Sequence, residues 1–226
     1  MENLNYYVCP TIDKPIIYCL RGKNGDLLID TGRTFSVHHA DHWIRKNGFD
    51  IRYLLLTHGH FDHSWNAKFF QKKYHTKIIL HQADLPLYRG EKTPLLCPSS
   101  PQNANITRFS NRILQRVHNP VTYIDFPIAD TDTGLLHELG FDAQIVLLPG
   151  HTAGSIGVKT ESVLYCGDAC SVVNGVYQTA FFGEDPSKLL ETEQYLLSMK
   201  PKILCPGHGQ VVYMDPDSAN VQKRKV

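Results

Sequence analysis

No stretch of the sequence is long and apolar enough to span a bilayer, and the opening residues Met1-Glu2-Asn3-Leu4-Asn5 lack the positive start and apolar core of a secretory signal. Both absences argue against a membrane partner and lead to the expectation of a cytoplasmic protein. Charge of one sign is missing as well. Lys and Arg number 23 against 22 Asp and Glu, a formal net charge of +1, so there is no broad electrostatic footprint for a polyanion and nucleic acid is not expected as a partner. The basic cluster Lys223-Arg224-Lys225 is terminal and reads as solvated. Low-complexity tracts and short-period repeats are absent too, which removes disordered and solenoid classes. What is present is ordinary: 42% hydrophobic and 20% charged residues over 226 positions, enough for one domain, or two fused half-domains, with a substantial core. Six cysteines are expected to be reduced, most simply as buried thiols, in a chain of this size without a signal.

Pro15 to Arg21 and Asp26 to Asp30 are short apolar-rich runs around Gly22-Lys23-Asn24-Gly25, and Asn-Gly is a strong hairpin signal, so the chain is expected to open with antiparallel strands. Ser36 to Lys46 suits a helix ended by Asn47-Gly48. Ile51 to Leu56 reads as a buried strand because it is short and almost continuously apolar. Trp65, Phe69, Phe70 and Tyr74 then recur at helical spacing, predicting a helix over 64–74. Lys77 to His81 is another strand candidate.

The segment 84–120 carries Pro86, Pro94, Pro98 and Pro101 and reads as an insertion, either a lid or pocket wall or a helix packed on the core. Inside it Ile106, Phe109, Ile113, Leu114 and Val117 share one helical face after a candidate cap, Asn105. Further strands are expected at 122–126, 143–148, 155–160, 163–166 and 202–205, with a helix near 187–199. Strands and helices interspersed in both halves imply an α/β architecture of two packed sheets with helices outside.

Directly after the strand at 51–56 comes Thr57-His58-Gly59-His60-Phe61-Asp62-His63, four potential metal ligands within six residues. Residues two apart in an extended stretch point to one side, so His58 and His60 can share an ion while the following turn presents Asp62 and His63 to another. Three more candidates end predicted strands among glycines: Pro149-Gly150-His151-Thr152, Gly167-Asp168-Ala169 and Pro206-Gly207-His208-Gly209. Glycine permits the sharp turns that carry side chains from separate strands to one point. Taken singly, the histidines read as ordinary strand-end or loop residues and Asp62 as a helix cap. Asp30 has no place as a ligand and reads as a group that orients a ligand histidine. Cys166, Cys170 and Cys205 lie close in sequence to these motifs and read as buried strand cysteines rather than ligands. His38, His39, His42, His75, His81, His118 and His137 fit no motif.

From Asp30-Thr31-Gly32 through the His58–His63 motif, His151, Asp168 and His208, the pattern resembles the metallo-β-lactamase superfamily over nearly the whole chain. The resemblance implies a four-layer αββα sandwich of two mixed sheets. It implies one metal held by His58, His60 and His151, a second by Asp62, His63 and His208, and Asp168 bridging them. Two zinc ions are implied, with iron or manganese as alternatives. The implied chemistry is attack of a metal-bridging hydroxide on a carbonyl, with Asp62 and Asp168 as the catalytic carboxylates and Asp62 relaying a proton.

Differences within the family narrow the substrate. The commonest β-lactamases carry cysteine where this chain has Asp168. Glyoxalase-II-like enzymes share Asp168 but extend well past the last metal histidine, whereas a short tail follows His208 here. Homoserine-lactone lactonases usually have tyrosine three positions after the bridging aspartate, where this chain has Ser171. RNA-processing phosphodiesterases need a positive surface that the balanced charge does not provide. The expectation is a dinuclear hydrolase of a small ester, thioester or lactone, with Val176, Tyr177, Phe181 and Phe182 in the loop 172–185 as candidates for the acyl pocket. The alternatives are a mononuclear-iron persulfide dioxygenase-type oxidoreductase, a phosphodiesterase of the same fold, and an interaction or sensor protein that has lost catalysis.

Overall fold

The computed structural model describes residues 4–117 and 119–214; Lys223-Arg224-Lys225 and His118 lie outside them. Among the described residues the larger of two main sheets has six strands in the order Asn5–Val8, Ile16–Leu20, Asp26–Ile29, Ile51–Leu55, Lys77–His81 and Phe126–Ile128. Its first three strands pair antiparallel and its last four run parallel. The second sheet, ordered Val212–Tyr213, Ile203–Pro206, Val163–Gly167, Ile156–Lys159 and Gln144–Leu147, is also mixed.

Alternation along the strands explains the layers. Successive strand side chains point to opposite faces. Ile16, Tyr18, Leu27, Ile29, Leu55 and Ile79 therefore enter one buried cluster with Ile145, Val158, Tyr165 and Ile203 of the other sheet. Their neighbours Ile17, Cys19, Leu28, Leu54 and Ile78 face the opposite way, under Ala40 and Ile44 of helix Val37–Lys46 and Ala67 and Phe70 of helix Ala67–Tyr74. On the far side Leu196 of helix Pro186–Ser198 covers Val146, Leu148, Leu164 and Leu204. That helix starts cleanly because the Asp185 carboxylate accepts from Lys188 N at 3.0 Å and Pro186 occupies its first turn. The layer order is helix, sheet, sheet, helix, and each fully buried Leu or Ile contributes about 1.5–3 kcal/mol to it.

Three sequence expectations shift. The helix expected over 64–74 is two pieces, Phe61–Ser64 and Ala67–Tyr74, because the Asn66 side chain turns aside to donate to the carbonyls of Thr31 and Arg33 and its backbone N–H donates to Thr31 Oγ1. Pairing expected at 122–126 begins only at Phe126, since the Asp125 side chain accepts from Ile78 N and the edge strand carries Pro127. The cap of helix Ala104–Leu114 is Asn103, not Asn105, because a single turn at Pro101–Asn103 feeds straight into it.

The segment 84–120 packs beside the 172–185 loop: Cys97–Pro98 pairs antiparallel with Phe182–Gly183, and Asn111 clasps the backbone N–H and carbonyl of Leu96. No helix among the described residues is long and apolar enough to cross a membrane.

Candidate metal centre

The C-terminal ends of strands from both sheets meet at one edge. Asp26–Ile29 delivers Asp30, Ile51–Leu55 delivers His58 and His60, Gln144–Leu147 delivers His151, Val163–Gly167 delivers Asp168, and Ile203–Pro206 delivers His208. Main-chain bonds stitch this edge: Ile156 N to Thr57 O at 2.8 Å, Gly207 N to Gly167 O at 2.7 Å, and Ile16 N to Gly207 O at 2.8 Å. Gly207 is obligatory, because a Cβ there would stand 2.2 Å from Asp168 Oδ1 and 2.7 Å from His63 Cε1.

All seven residues that the sequence singled out as ligands converge. Among the described residues three groups have donor atoms within 4.8 Å of one another: His58, His60 and His151; His58, His63 and Asp168; and Asp62, His63 and His208. Asp168 sits between them, its carboxylate 3.4 Å from His63 Nε2 and 3.5 Å from both His151 Nε2 and His208 Nε2. Two pairs of ring nitrogens lie only 3.0 Å apart, His60 Nδ1 with His151 Nε2 and His63 Nε2 with His208 Nε2. None of the described cysteines joins these groups; Cys166 and Cys170 are buried with their sulfurs 3.3 Å apart.

Partners behind the rings aim them. Asp30 Oδ2 accepts from His63 Nδ1 at 2.8 Å, and the same carboxylate takes the hydroxyl and N–H of Thr57, whose oxygen lies 3.1 Å from His58 Nδ1. His151 Nδ1 donates to the Phe182 carbonyl and His208 Nδ1 to the Asp13 carbonyl, leaving Nε2 of each directed inward. The orienting role read for Asp30 is thus visible as contacts to two histidine supports at once. Asp30→Asn would present an N–H to the His63 Nδ1 hydrogen and is expected to weaken metal affinity 10–100-fold, approximately, measured by competition with a chelator.

The residues fit a divalent cation. His58 Nε2 and His60 Nε2 are buried without a hydrogen-bond partner, an arrangement that costs free energy unless something electrophilic occupies the space they face. Mixed imidazole and carboxylate donors suit zinc, iron or manganese.

The electrostatics divide the cluster. Burial and then the neighbouring imidazoles hold His58 well below the ordinary histidine range, and burial with His151 beside it pushes His60 down to about 3, so the His58 and His60 rings are neutral and ready to ligate. At His208 burial opposes the charge, but Asp168 and Asp62 outweigh it and push the pKa up to about 9. At His63 burial is likewise outweighed, by Asp168 and Asp30, and the pKa lies well above normal. Asp62 and Asp168 are correspondingly lowered against the effect of burial.

A raised histidine is protonated below its pKa, so at pH 7 a cation entering beside His63 and His208 must displace protons, whereas one entering beside His58 and His60 need not. Titration calorimetry in buffers of different ionisation enthalpy is therefore expected to find little proton release with the first equivalent of metal and about one proton with the second, the latter diminishing above pH 9.

Sequence reasoning missed Asp84, which it placed at the edge of an insertion. Asp84 is 2% exposed and accepts three bonds, from Gly59 N at 2.7 Å, Thr152 Oγ1 at 2.8 Å and Gly154 N at 2.7 Å. It thereby ties the loop of His58 and His60 to that of His151. Asn119 adds a bond to the Gly59 carbonyl and accepts from Ser64 Oγ. The one available signal was position, an aspartate just beyond the end of a buried strand.

The cluster floors a cavity of about 560 Å³, whose lining includes His60, Asp62, His151, Asp168 and His208. Its walls come from Arg33 and Phe61, from helix Ala104–Leu114, and from the 172–185 loop through Val172, Phe181 and Phe182; Val176 and Tyr177, offered with them as pocket candidates, are not part of the lining.

Sequence and structure comparisons agree with this geometry. The sequence model of the metallo-beta-lactamase superfamily matches residues 16–208. The chain is similar to a hydroxyacylglutathione hydrolase of Erwinia tasmaniensis, 26% identical over 166 residues, covering 73% of this chain and 51% of that protein. It is also similar to the probable metallo-hydrolase YflN of Bacillus subtilis, 25% identical over 178 residues, covering 72% and 66% respectively. The chain thus spans about half to two thirds of these relatives' lengths. Among solved structures, TTHA1623 in a di-iron-bound form superposes with a TM-score of 0.65 at 23% identity over 91% of this chain and 93% of that one. The B3 metallo-beta-lactamase BLEG-1 gives 0.64 at 20% identity over 92% and 93%.

A two-sheet sandwich with imidazoles and carboxylates gathered at one strand edge defines a protein with a candidate metal-binding centre. The chain belongs to the metallo-beta-lactamase superfamily.

Proposed function

We propose that the protein hydrolyses a small ester, thioester or lactone at a centre of two divalent cations. The observation that carries this reading is the overlap of three donor groups around Asp168 on the floor of a cavity large enough for a small molecule. His58, His60 and His151 would hold one cation, Asp62, His63 and His208 the other, with Asp168 shared. When bound, two such ions supply Lewis acidity toward a carbonyl oxygen and acidify water at neutral pH.

The chain's own groups do the rest. Asp62, on the cavity floor 3.5 Å from His208 Nε2, accepts from the attacking water and fixes its approach. Against the effect of burial, the hydrogen bond to His208 and the charges of His63 and His208 hold its carboxylate below the usual range, so it is ionised and able to accept the water's hydrogen and pass it to the leaving alcohol or thiol. Phe61 and Phe182 present apolar surface beside the floor. Ser171 and Cys170 also line the cavity, but this mechanism needs no side-chain nucleophile.

Thioester hydrolysis draws support from the hydroxyacylglutathione hydrolases among the relatives. Zinc is the first choice of metal, and the di-iron neighbour makes iron the alternative to test. Retention of Asp62, His63 and His208 favours two ions over the single iron of a persulfide dioxygenase. We read 1–226 as one domain, with 84–120 forming the wall that selects a small acyl substrate.

Elemental analysis of protein purified without chelator, followed by a panel of thioesters, lactones, phosphodiesters and persulfides, tests the reading. Two metal equivalents with acyl turnover are expected; one iron with oxygen uptake would replace the hydrolase by the oxidoreductase.

A further inference from the structure

The cavity is divided in a way that specifies its substrate further than the metal centre does. On helix Ala104–Leu114 the residues that line it are Ile106, Phe109, Ser110 and Ile113, with Leu114 beside them, which is the i, i+3, i+4, i+7 stripe that an amphipathic helix ordinarily buries against its own core. Here the stripe faces the cavity. Ile106 is 44% exposed and Phe109 63%, large apolar groups that the other described residues leave partly uncovered. The same cavity is lined by Leu96, which Asn111 holds beside the helix, and by Val172, Ala180, Phe181 and Phe182 of the 172–185 loop.

This apolar half adjoins one end of the donor cluster. The Phe182 ring lies 5.8 Å from that of His151, and its carbonyl holds His151 Nδ1. The charged half adjoins the other end. The Asp13 carbonyl holds His208 Nδ1 at 2.7 Å, the Asp13 carboxylate pairs with Arg33 at 2.6 Å, and Lys14 stands beside them on the rim.

Resting on the hydrolytic reading above, we infer that the substrate is an ester or thioester of a medium-chain aliphatic acid. Its hydrocarbon chain lies against the Phe109 stripe, and its polar alcohol or thiol portion leaves on the Arg33–Lys14 side. A short hydroxyacyl group has no apolar surface to cover that stripe. Burying methylenes against it supplies binding energy in proportion to chain length.

The test uses thioesters of one thiol, N-acetylcysteamine, carrying acetyl, butanoyl, hexanoyl and octanoyl groups, with the cation-loaded protein. The inference predicts kcat/KM rising about fourfold per methylene until the cavity is filled. Phe109→Ser is expected to lower the octanoyl-to-acetyl ratio about tenfold, and Phe35→Ser, a still more exposed aromatic that is not part of the cavity lining, to leave the ratio unchanged. Independently of turnover, octanamide should raise the Tm of the metal-free protein and acetamide should not. Acetyl turnover with a flat or falling series, or equal Tm responses to the two amides, overturns the inference and leaves the hydrolase intact. No turnover of any acyl compound by the loaded protein overturns the hydrolytic reading itself.

Discussion

Replacing Asp168 with alanine is expected to lower turnover by about 10³-fold, the scale on which loss of one preorganised charge in a water-excluded site acts, and to reduce the metal content below two equivalents. The carboxylate lies 3.4–3.5 Å from His63, His151 and His208, so on the proposed reading its removal would take away a shared ligand and the negative charge that would let two cations sit side by side. It is also the leading favourable influence on the His63 and His208 protons. In the metal-free variant the His208 pKa is therefore expected to fall from about 9 toward the ordinary value, visible in its ring proton resonances. Full activity and an unmoved His208 would remove Asp168 from the mechanism.

Asp84→Ala is expected to cost about 3–5 kcal/mol of stability, since each of three buried donors left without an acceptor carries a penalty of about 1–3 kcal/mol and some recover water. The donors are Gly59 N, Thr152 Oγ1 and Gly154 N, one on each flank of the two histidine loops and one further on. Neither loop can simply close the gap by gaining bulk: a Cβ on Gly154 would lie 2.8 Å from the residue 84 backbone nitrogen, and one on Gly59 only 3.2 Å from the residue 84 carbonyl. Denaturant unfolding of the metal-free variant gives the number. Addition of metal should recover part of the loss, because ions that bind only the folded chain stabilise it by mass action. A loss under 1 kcal/mol would mean that Asp84 does not clamp the loops.

Asp84 also marks where local reading of the sequence stops. The His58–His63 motif is legible because its ligands are packed into six residues at the end of an apolar strand. His151, Asp168 and His208 are legible because each sits among glycines after such a strand. Asp30 could be read by elimination. Asp84 could not, since its partners lie 25 to 70 residues away and it has no periodic neighbours to flag it.

The fold divides along the same line. Continuous apolar runs announce strands buried on both faces, but not that Asp125 would displace the start of pairing from 122 to Phe126, nor that Thr31 would draw Asn66 out of a longer helix. Periodicity places Ile106, Phe109 and Ile113 on one helical face. It cannot say whether that face meets the core or an open cavity, because both choices bury an apolar stripe once a ligand is present.

The central claim is tested most directly by diffraction from crystals of metal-loaded protein at the absorption edge of the bound element. Two anomalous peaks about 3.5–4 Å apart are expected, one against His58, His60 and His151 and one against Asp62, His63 and His208, with Asp168 between them. A lone peak, or none, with His208 and Asp62 turned toward solvent, would contradict it.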